Sequence, residues 1–328
     1  MQVRILSAAD VVKALPMGEA IAGMKSAFAQ LSTGKAVVPL RGRVDVGGQG
    51  TTLVMPAYLA ESNALAVKVA SVFPQNVRQD EPTIYAMVLV LDAVTGRPLA
   101  LIEGGTLTAI RTGAGAGAAT DLLALPDAEV AAILGSGVQA RTQLEAVCTV
   151  RPVRHVRVYS PTPGRAAAFA REMAGKGPIP DDIQVVDDPD AAVGGADIVC
   201  AATTSATPVF SGRSLKPGAH VNGVGSFTPG MQEVDVETIQ RSLVVVDSHP
   251  AALAEAGDLI IPLERGLIQA DHIVAELGEI IAGVKPGRTG PEQITFFKSV
   301  GVAVQDAIAG RIALKNAISH NLGTVVTL

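Results

Sequence analysis

Polar and apolar positions fall into two textures along the chain. Over residues 7–32, Val11, Val12, Leu15, Ile21, Met24, Ala27, Phe28 and Leu31 recur at helical spacing, with Pro16 interrupting the run. This predicts one or two amphipathic helices. Residues 37–72 then read as strands separated by turn clusters such as Gly47-Gly48-Gln49-Gly50, and 83–92 with 99–103 predict a hairpin around Thr95-Gly96. Small residues fill 109–119, with Gly113, Gly115 and Gly117 among them, and predict a helix that packs closely on its neighbours. After Asp127 the texture changes: short apolar runs at 129–134, 155–159, 184–186, 198–201, 220–224 and 243–246 are spaced by helical stretches. Runs without polar alternation belong to a parallel sheet buried on both faces.

The fold expected is therefore α/β, a Rossmann-type doubly wound parallel sheet plus a mostly β domain. Residues 119–301 form the former and residues 1–118 with 302–328 the latter. The last helical stretch, 301–319, returns to the first domain, so the α/β unit is an insertion.

A length of 328 residues suits two domains. The charged share is 17%, below the usual level of about 25%, and the formal net charge is −5 with no run of one sign. Both disfavour a nucleic-acid or anionic-membrane partner. Aromatics are 3% with no Trp, which leaves little for stacking on bases. Cys148 and Cys200 are too few for a disulfide framework or a cysteine zinc site, and fit a reduced, cytoplasmic setting. No stretch approaches the roughly 20 apolar residues of a membrane span. His155, His220, His249, His272 and His320 show no ligand spacing and read as structural or solvated, so no metal is expected. The 34 glycines are the outlier, and where they fall is informative.

The strand at 129–134 runs directly into Gly135-Ser136-Gly137-Val138-Gln139-Ala140, followed by a helical stretch from about Arg141. Gly135 allows a tight turn, Gly137 lets backbone amides approach a pyrophosphate, and Ala140 permits close helix–strand packing. Strand, turn and helix in that order make the string a dinucleotide-binding fingerprint. An acidic residue ending the next strand would select NAD, but 155–159 is followed by Ser160-Pro161-Thr162-Pro163-Gly164-Arg165. Ser160, Thr162 and Arg165 suit a ribose 2′-phosphate, which predicts NADPH, with NADH possible. The alternative for Arg165 is a solvated helix residue.

Two cations interrupt apolar patterns. Lys68 shares a strand face with Ala66 and Ala70, and Arg111 lies in an apolar helix. Buried charges must be paired. An anionic ligand would do it, and so would an internal ion pair or a stem that snorkels to water.

Val54-Met55-Pro56, Val67-Lys68-Val69, Leu107-Thr108-Ala109-Ile110-Arg111-Thr112-Gly113-Ala114, the Gly135–Ala140 loop, Val224-Gly225-Ser226 before Pro229, Gly257-Asp258-Leu259 and Phe297-Lys298-Ser299-Val300-Gly301 occur in an order and spacing that resembles the ornithine cyclodeaminase/mu-crystallin family over essentially the whole chain. The resemblance implies a homodimer made by the mostly β domain. It implies that Arg41, Lys68 and Arg111 hold a substrate α-carboxylate. It also places Thr83, Arg111, Thr112, Val138, Gln139, Thr203, Asn222, Val224, Gly225, Ser299 and Val300 around the dinucleotide. Asp258 reads equally as a turn or N-cap residue, and Lys298 either neutralises cofactor phosphate or lies in solvent.

The departures from the family are informative. Phe227 stands where cyclodeaminases carry an aspartate, and Leu53 replaces a second acidic residue before Met55-Pro56. Oxidising an amine needs a base to take its proton, whereas a ring that arrives as an imine does not. The resemblance then implies NADPH-dependent reduction of a small cyclic imino acid, Δ1-pyrroline-2-carboxylate or Δ1-piperideine-2-carboxylate, with Lys68 as the catalytic residue. The alternatives are ornithine cyclodeamination, reductive amination of an oxo acid as in alanine dehydrogenase, and NADP(H)-dependent ligand binding without catalysis.

Overall fold

Strand β1 (Gln2–Leu6) turns into helix α1 (Ala8–Ala14) where Ser7 and Asp10 cap one another, the hydroxyl accepting from the Asp10 amide and the carboxylate from the Ser7 amide. Pro16, whose missing N–H costs nothing at a helix start, then separates α1 from α2 (Met17–Ser32). Strands β2 (Ala36–Val37), β3 (Gly42–Val46), β4 (Gly50–Leu59), β5 (Ala64–Val72), β6 (Ile84–Leu91) and β7 (Pro98–Glu103) follow, and β7 leads into α3 (Gly104–Leu123). In this computed structural model, which describes residues 1–79 and 81–328, the chain divides into two units within α3. One comprises residues 1–111 and 302–328, the other residues 112–301.

The second unit alternates β8 (Val130–Leu134), α4 (Val138–Val150), β9 (His155–Tyr159), α5 (Pro163–Met173), β10 (Ile183–Val185), α6 (Pro189–Val193), β11 (Ile198–Ala201) and β12 (His220–Gly223). It continues through α7 (Val236–Arg241), β13 (Ser242–Val246), α8 (His249–Glu255), α9 (Gly257–Glu264), β14 (Ile273–Glu276), α10 (Leu277–Ile281) and β15 (Ile294–Lys298). The chain then re-enters the first unit with α11 (Ala303–Ser319) and β16 (Thr324–Thr327).

In the first unit the strand order is β16-β1-β7-β6-β5-β4-β2, with β3 also on β4. Every pairing is antiparallel except β1 with β7. The period of two puts Ala64, Ala66, Lys68 and Ala70 on one buried face of β5, and α11 packs on β4, β5 and β6. Gly310 sets that approach, since a Cβ there would lie 2.9 Å from Val90 Cγ2. On the opposite face of the same strands Val54, Val69, Tyr85 and Met87 are exposed.

In the second unit all strands are parallel, in the order β10-β9-β8-β11-β12-β15-β13-β14. The succession reverses between β8 and β11, the switch point at which a doubly wound sheet opens a crevice at its carboxyl ends. The expected doubly wound sheet and mostly β partner are both present. The sequence patterns missed β14, which has only four residues and ends in Glu276, and β15, where Thr295 interrupts the apolar run and Lys298 ends it. Helix α4 also begins earlier than expected, at Val138. Among the described residues no helix is long and apolar enough to cross a membrane.

The small residues of α3 allow α4 to approach closely: a Cβ on Gly113 would lie 2.4 Å from the Thr142 carbonyl oxygen. Gly113→Ala is expected to cost roughly 1–3 kcal/mol through overpacking. Urea unfolding checks this, with Gly18→Ala as the control, because a Cβ at Gly18 meets nothing within 4 Å.

Candidate functional site

Three elements of the first unit converge charges on the inner face of its sheet. Lys68 stands on β5 between Met55 of β4 and Val88 of β6. Arg111 comes from α3, and Asp306 from the first turn of α11, where the helix dipole favours a carboxylate. Lys68 Nζ donates to Thr108 Oγ1 at 2.7 Å and to Asp306 Oδ1 at 3.1 Å. Arg111 Nε donates to the same Oδ1 at 3.0 Å, and its Nη1 to Gln305 Oε1 at 2.8 Å. Of the possibilities open for these cations, an internal ion pair is thus realised, and all three side chains are at most 6% exposed.

The pairing is nevertheless incomplete. Among the described residues one carboxylate pairs with these two cations, which leaves one positive charge unmatched there. An ammonium has three N–H groups and a guanidinium five, so the third N–H of Lys68 and both N–H groups of Arg111 Nη2 have no acceptor among the described residues. Burial pulls the Lys68 ammonium down to about 8; Asp306 opposes that, while repulsion from Arg111 and from half-buried Arg41 adds to it. Asp306 Oδ2 and Gln305 Nε2 are buried without a partner among the described residues. Leu53 lies opposite Ala70, on the Lys68 face, so the neighbourhood of the cations is apolar where the family carries an acid. Thr83 is half-buried just before β6, its carbonyl accepting from the Phe73 amide.

In the second unit the two fingerprint glycines answer different demands. Gly135 has φ +109°, and a Cβ on it would lie 2.5 Å from the Ala202 carbonyl oxygen, so the turn itself requires glycine. Gly137 has φ −83° and no atom within 4 Å of a would-be Cβ. The protein does not need glycine there, and the open space lies in front of the first amides of α4, which no side chain caps. Ala140 is fully buried against the sheet. Arg141 pins the loop by donating to the Ser136 and Gly137 carbonyls and is itself held by Glu172. Gln139 Oε1 is buried without a partner among the described residues. An open, anion-favouring helix start fits a pyrophosphate group.

Ser136 and Ser160 hydroxyls bond at 3.1 Å, tying the loop to the end of β9. Thr162 begins α5 without spending its side chain on the cap, and Arg165 is exposed one turn later. No carboxylate occurs between Tyr159 and Arg165.

The turns after β11, β12 and β15 are more committed than the resemblance implied. Glu233, which sequence reasoning did not single out, accepts from the Thr203 and Gly225 amides at 2.5 Å each and from Ser226 at 3.1 Å. Asn222 is fully buried, donating to Thr120 Oγ1 and bonded to His220 Nε2. The Ser299 hydroxyl and the Val300 and Gly301 amides all reach Asp247 Oδ2. The Asn222 side chain, the Ser299 hydroxyl and the Gly225 and Val300 amides therefore serve the framework, and these turns present shape and carbonyls, with Val224, rather than free donors. Lys298 does not lie in solvent: it is fully buried, 2.8 Å from Asp258 Oδ2. Asp258 in turn accepts from the Glu233 and Val234 amides, a turn-holding role rather than an N-cap. Burial pushes Glu233 and Asp247 above the usual carboxylate range, depresses His220 to about 3, and raises both thiols to about 12. Among the described residues no group of three or more His, Cys, Asp and Glu could hold a metal ion.

Residues 1–321 match the ornithine cyclodeaminase/mu-crystallin family. A Δ1-pyrroline-2-carboxylate reductase of Bacillus cereus is 41% identical over 324 residues, 98% of this chain and 99% of the relative. Among solved structures, the Thermococcus litoralis Δ1-pyrroline-2-carboxylate reductase in complex with NADH and L-proline has a TM-score of 0.93 at 46% identity, covering 98% of this chain and 99% of that one. An archaeal alanine dehydrogenase dimer with bound NAD has a TM-score of 0.92 at 31% identity over 100% of both chains. The chain belongs to the ornithine cyclodeaminase/mu-crystallin family.

Proposed function

We propose that this chain is an oxidoreductase that reduces the C=N bond of a cyclic ketimine carboxylate. Δ1-Pyrroline-2-carboxylate would give L-proline, and the six-membered Δ1-piperideine-2-carboxylate would give L-pipecolate. The observation that carries this reading is the unmatched positive charge of the Lys68, Arg111 and Asp306 triad, with its unspent N–H groups on an apolar sheet face. A small monoanion whose remainder is a ring of CH2 groups fits that combination. The spare N–H of Lys68, Arg111 Nη2 and Arg41 would clamp its carboxylate and hold C2 in a reactive geometry. Leu53 and Phe227 leave no acid at the two family positions to deprotonate an amine, which favours an imine over ornithine as substrate. The Bacillus and Thermococcus relatives point to the same chemistry.

A nicotinamide cofactor, when bound, supplies the hydride. Gly135, Gly137, Val138, Gln139 and the first amides of α4 would hold its pyrophosphate, with Thr112, Thr203 and Val224 as further contacts. Ser160, Thr162 and Arg165 would favour the 2′-phosphate of NADPH while still admitting NADH, the form bound in the Thermococcus enzyme. Reduction also adds a proton to the ring nitrogen. Lys68, with its ammonium near 8, is still largely charged at neutral pH and can pass that proton on, recovering it from water. The exposed apolar face at Val54, Val69, Tyr85 and Met87 would receive a second copy of this chain; the archaeal alanine dehydrogenase relative is a dimer.

The test is NADPH oxidation with each imine. Lys68→Met should lower kcat/KM by about 10²–10⁴-fold with NADPH binding retained. In the wild type, kcat/KM should fall as pH rises through about 8, where the ammonium is lost. A profile flat beyond that point, or ammonia release from ornithine, or a requirement for ammonia with pyruvate, would replace this reading. Ligand binding with no turnover would replace it as well. Arg165→Ala should raise KM for NADPH roughly tenfold, a loss of about 1.4 kcal/mol, and leave KM for NADH unchanged. Light scattering should find a dimer that Val69→Lys with Met87→Lys converts to monomer.

A further inference from the structure

The Asp306 carboxylate is bonded through one oxygen only. Lys68 Nζ and Arg111 Nε both donate to Oδ1, at 3.1 and 3.0 Å, while Oδ2 is buried with no partner among the described residues. A buried ion pair serving only to anchor α11 would repay its desolvation best with both oxygens bonded. We propose that Asp306 is a positioning residue whose Oδ1, by occupying one N–H of Lys68 and the Nε of Arg111, selects which N–H groups of the two cations face a substrate carboxylate. This rests on the reductase reading above.

The groups facing Lys68 from each packed element leave Asp306 without a substitute. Helix α3 presents Thr108 and Arg111, α11 presents Asp306, β4 and β6 present Met55 and Val88, and Arg41 acts from the segment before β3. Asp306 is the single anion in this set among the described residues. Gln305 extends its effect, because it holds Arg111 Nη1 from the neighbouring position of the same helix turn. With Nε and Nη1 both engaged by α11, the guanidinium plane is fixed and Nη2 becomes the outward donor. On Lys68, Thr108 and Asp306 take two of the three hydrogens, so the direction of the third follows from tetrahedral geometry. The carboxylate also keeps two cations together before any substrate arrives; without it they repel each other, and the ammonium gives up its proton more readily.

The experiment uses the full chain with lysine labelled with ¹³C at Cε, the Lys68 resonance being identified by its loss in Lys68→Met. In Asp306→Asn the Lys68 titration should move down by about one pH unit or more, and the high-pH fall of kcat/KM should move with it. A Lys68 titration unchanged in folded Asp306→Asn overturns the proposal. Asp306→Glu keeps the charge and displaces it by one methylene. It should leave the titration close to wild type but raise KM for the imine about tenfold or more, with KM for NADPH and Tm unaltered. An unchanged imine KM in this variant overturns the proposal even if the Asn variant does not fold. Should the wild type reduce neither imine, the reductase reading fails, while the labelled-lysine titration still decides the role of Asp306.

Discussion

Two cations share one buried carboxylate oxygen on an apolar sheet face, and the character of the first unit follows from that constraint. Charge cannot remain inside such a face unpaired, so β5, α3 and α11 must meet at Lys68, Arg111 and Asp306. The pairing is unequal, and the remainder is what a ligand can use. Full compensation would have produced an inert structural triad; none would have favoured a neutral Lys68. The intermediate arrangement keeps a buried lysine whose ionisation is drawn down to about 8 beside a second cation.

The second unit solves a comparable problem with backbone amides. Its sheet ends in turns whose amides would be costly if left unmade, and three buried acids, Glu233, Asp247 and Asp258, collect most of them. The helices that follow β8 and β9 differ. Helix α4 follows Gly137, and α5 follows Thr162, with their first amides uncapped by any side chain. The occupied turns after β11, β12 and β15 contrast with these two open helix starts.

How much was legible in the sequence depended on how local each signal was. The Gly135 loop was readable because strand, turn and helix adjoin. Lys68 and Arg111 were readable because a charge inside an apolar repeat demands explanation. Their partner was not: an acid in the first turn of a helix has an ordinary dipole reading, and Asp306 lies 238 residues from Lys68. Asn222, Gly225, Ser299 and Val300 came from family resemblance, which gives positions but not which hydrogens are already spent. Strand β14 escaped because its apolar run is only three residues long, β15 because Thr295 and Lys298 bracket its phenylalanines, and only the fold reveals that Lys298 is neutralised by Asp258.

The insertion of the second unit has a consequence for biosynthesis. Lys68 and Arg111 leave the ribosome long before Asp306, which lies 238 and 195 residues further along. Until α11 is made, the growing sheet has two cations and no counter-charge for its inner face, and the helix that would cover that face is absent. The cluster of Lys68, Arg111 and Asp306 can be completed only after the parallel sheet has been synthesised, and contacts so distant in sequence favour slow docking over rapid collapse. A chain truncated before α11 would retain its nucleotide loop but have lost the partner for its buried charges.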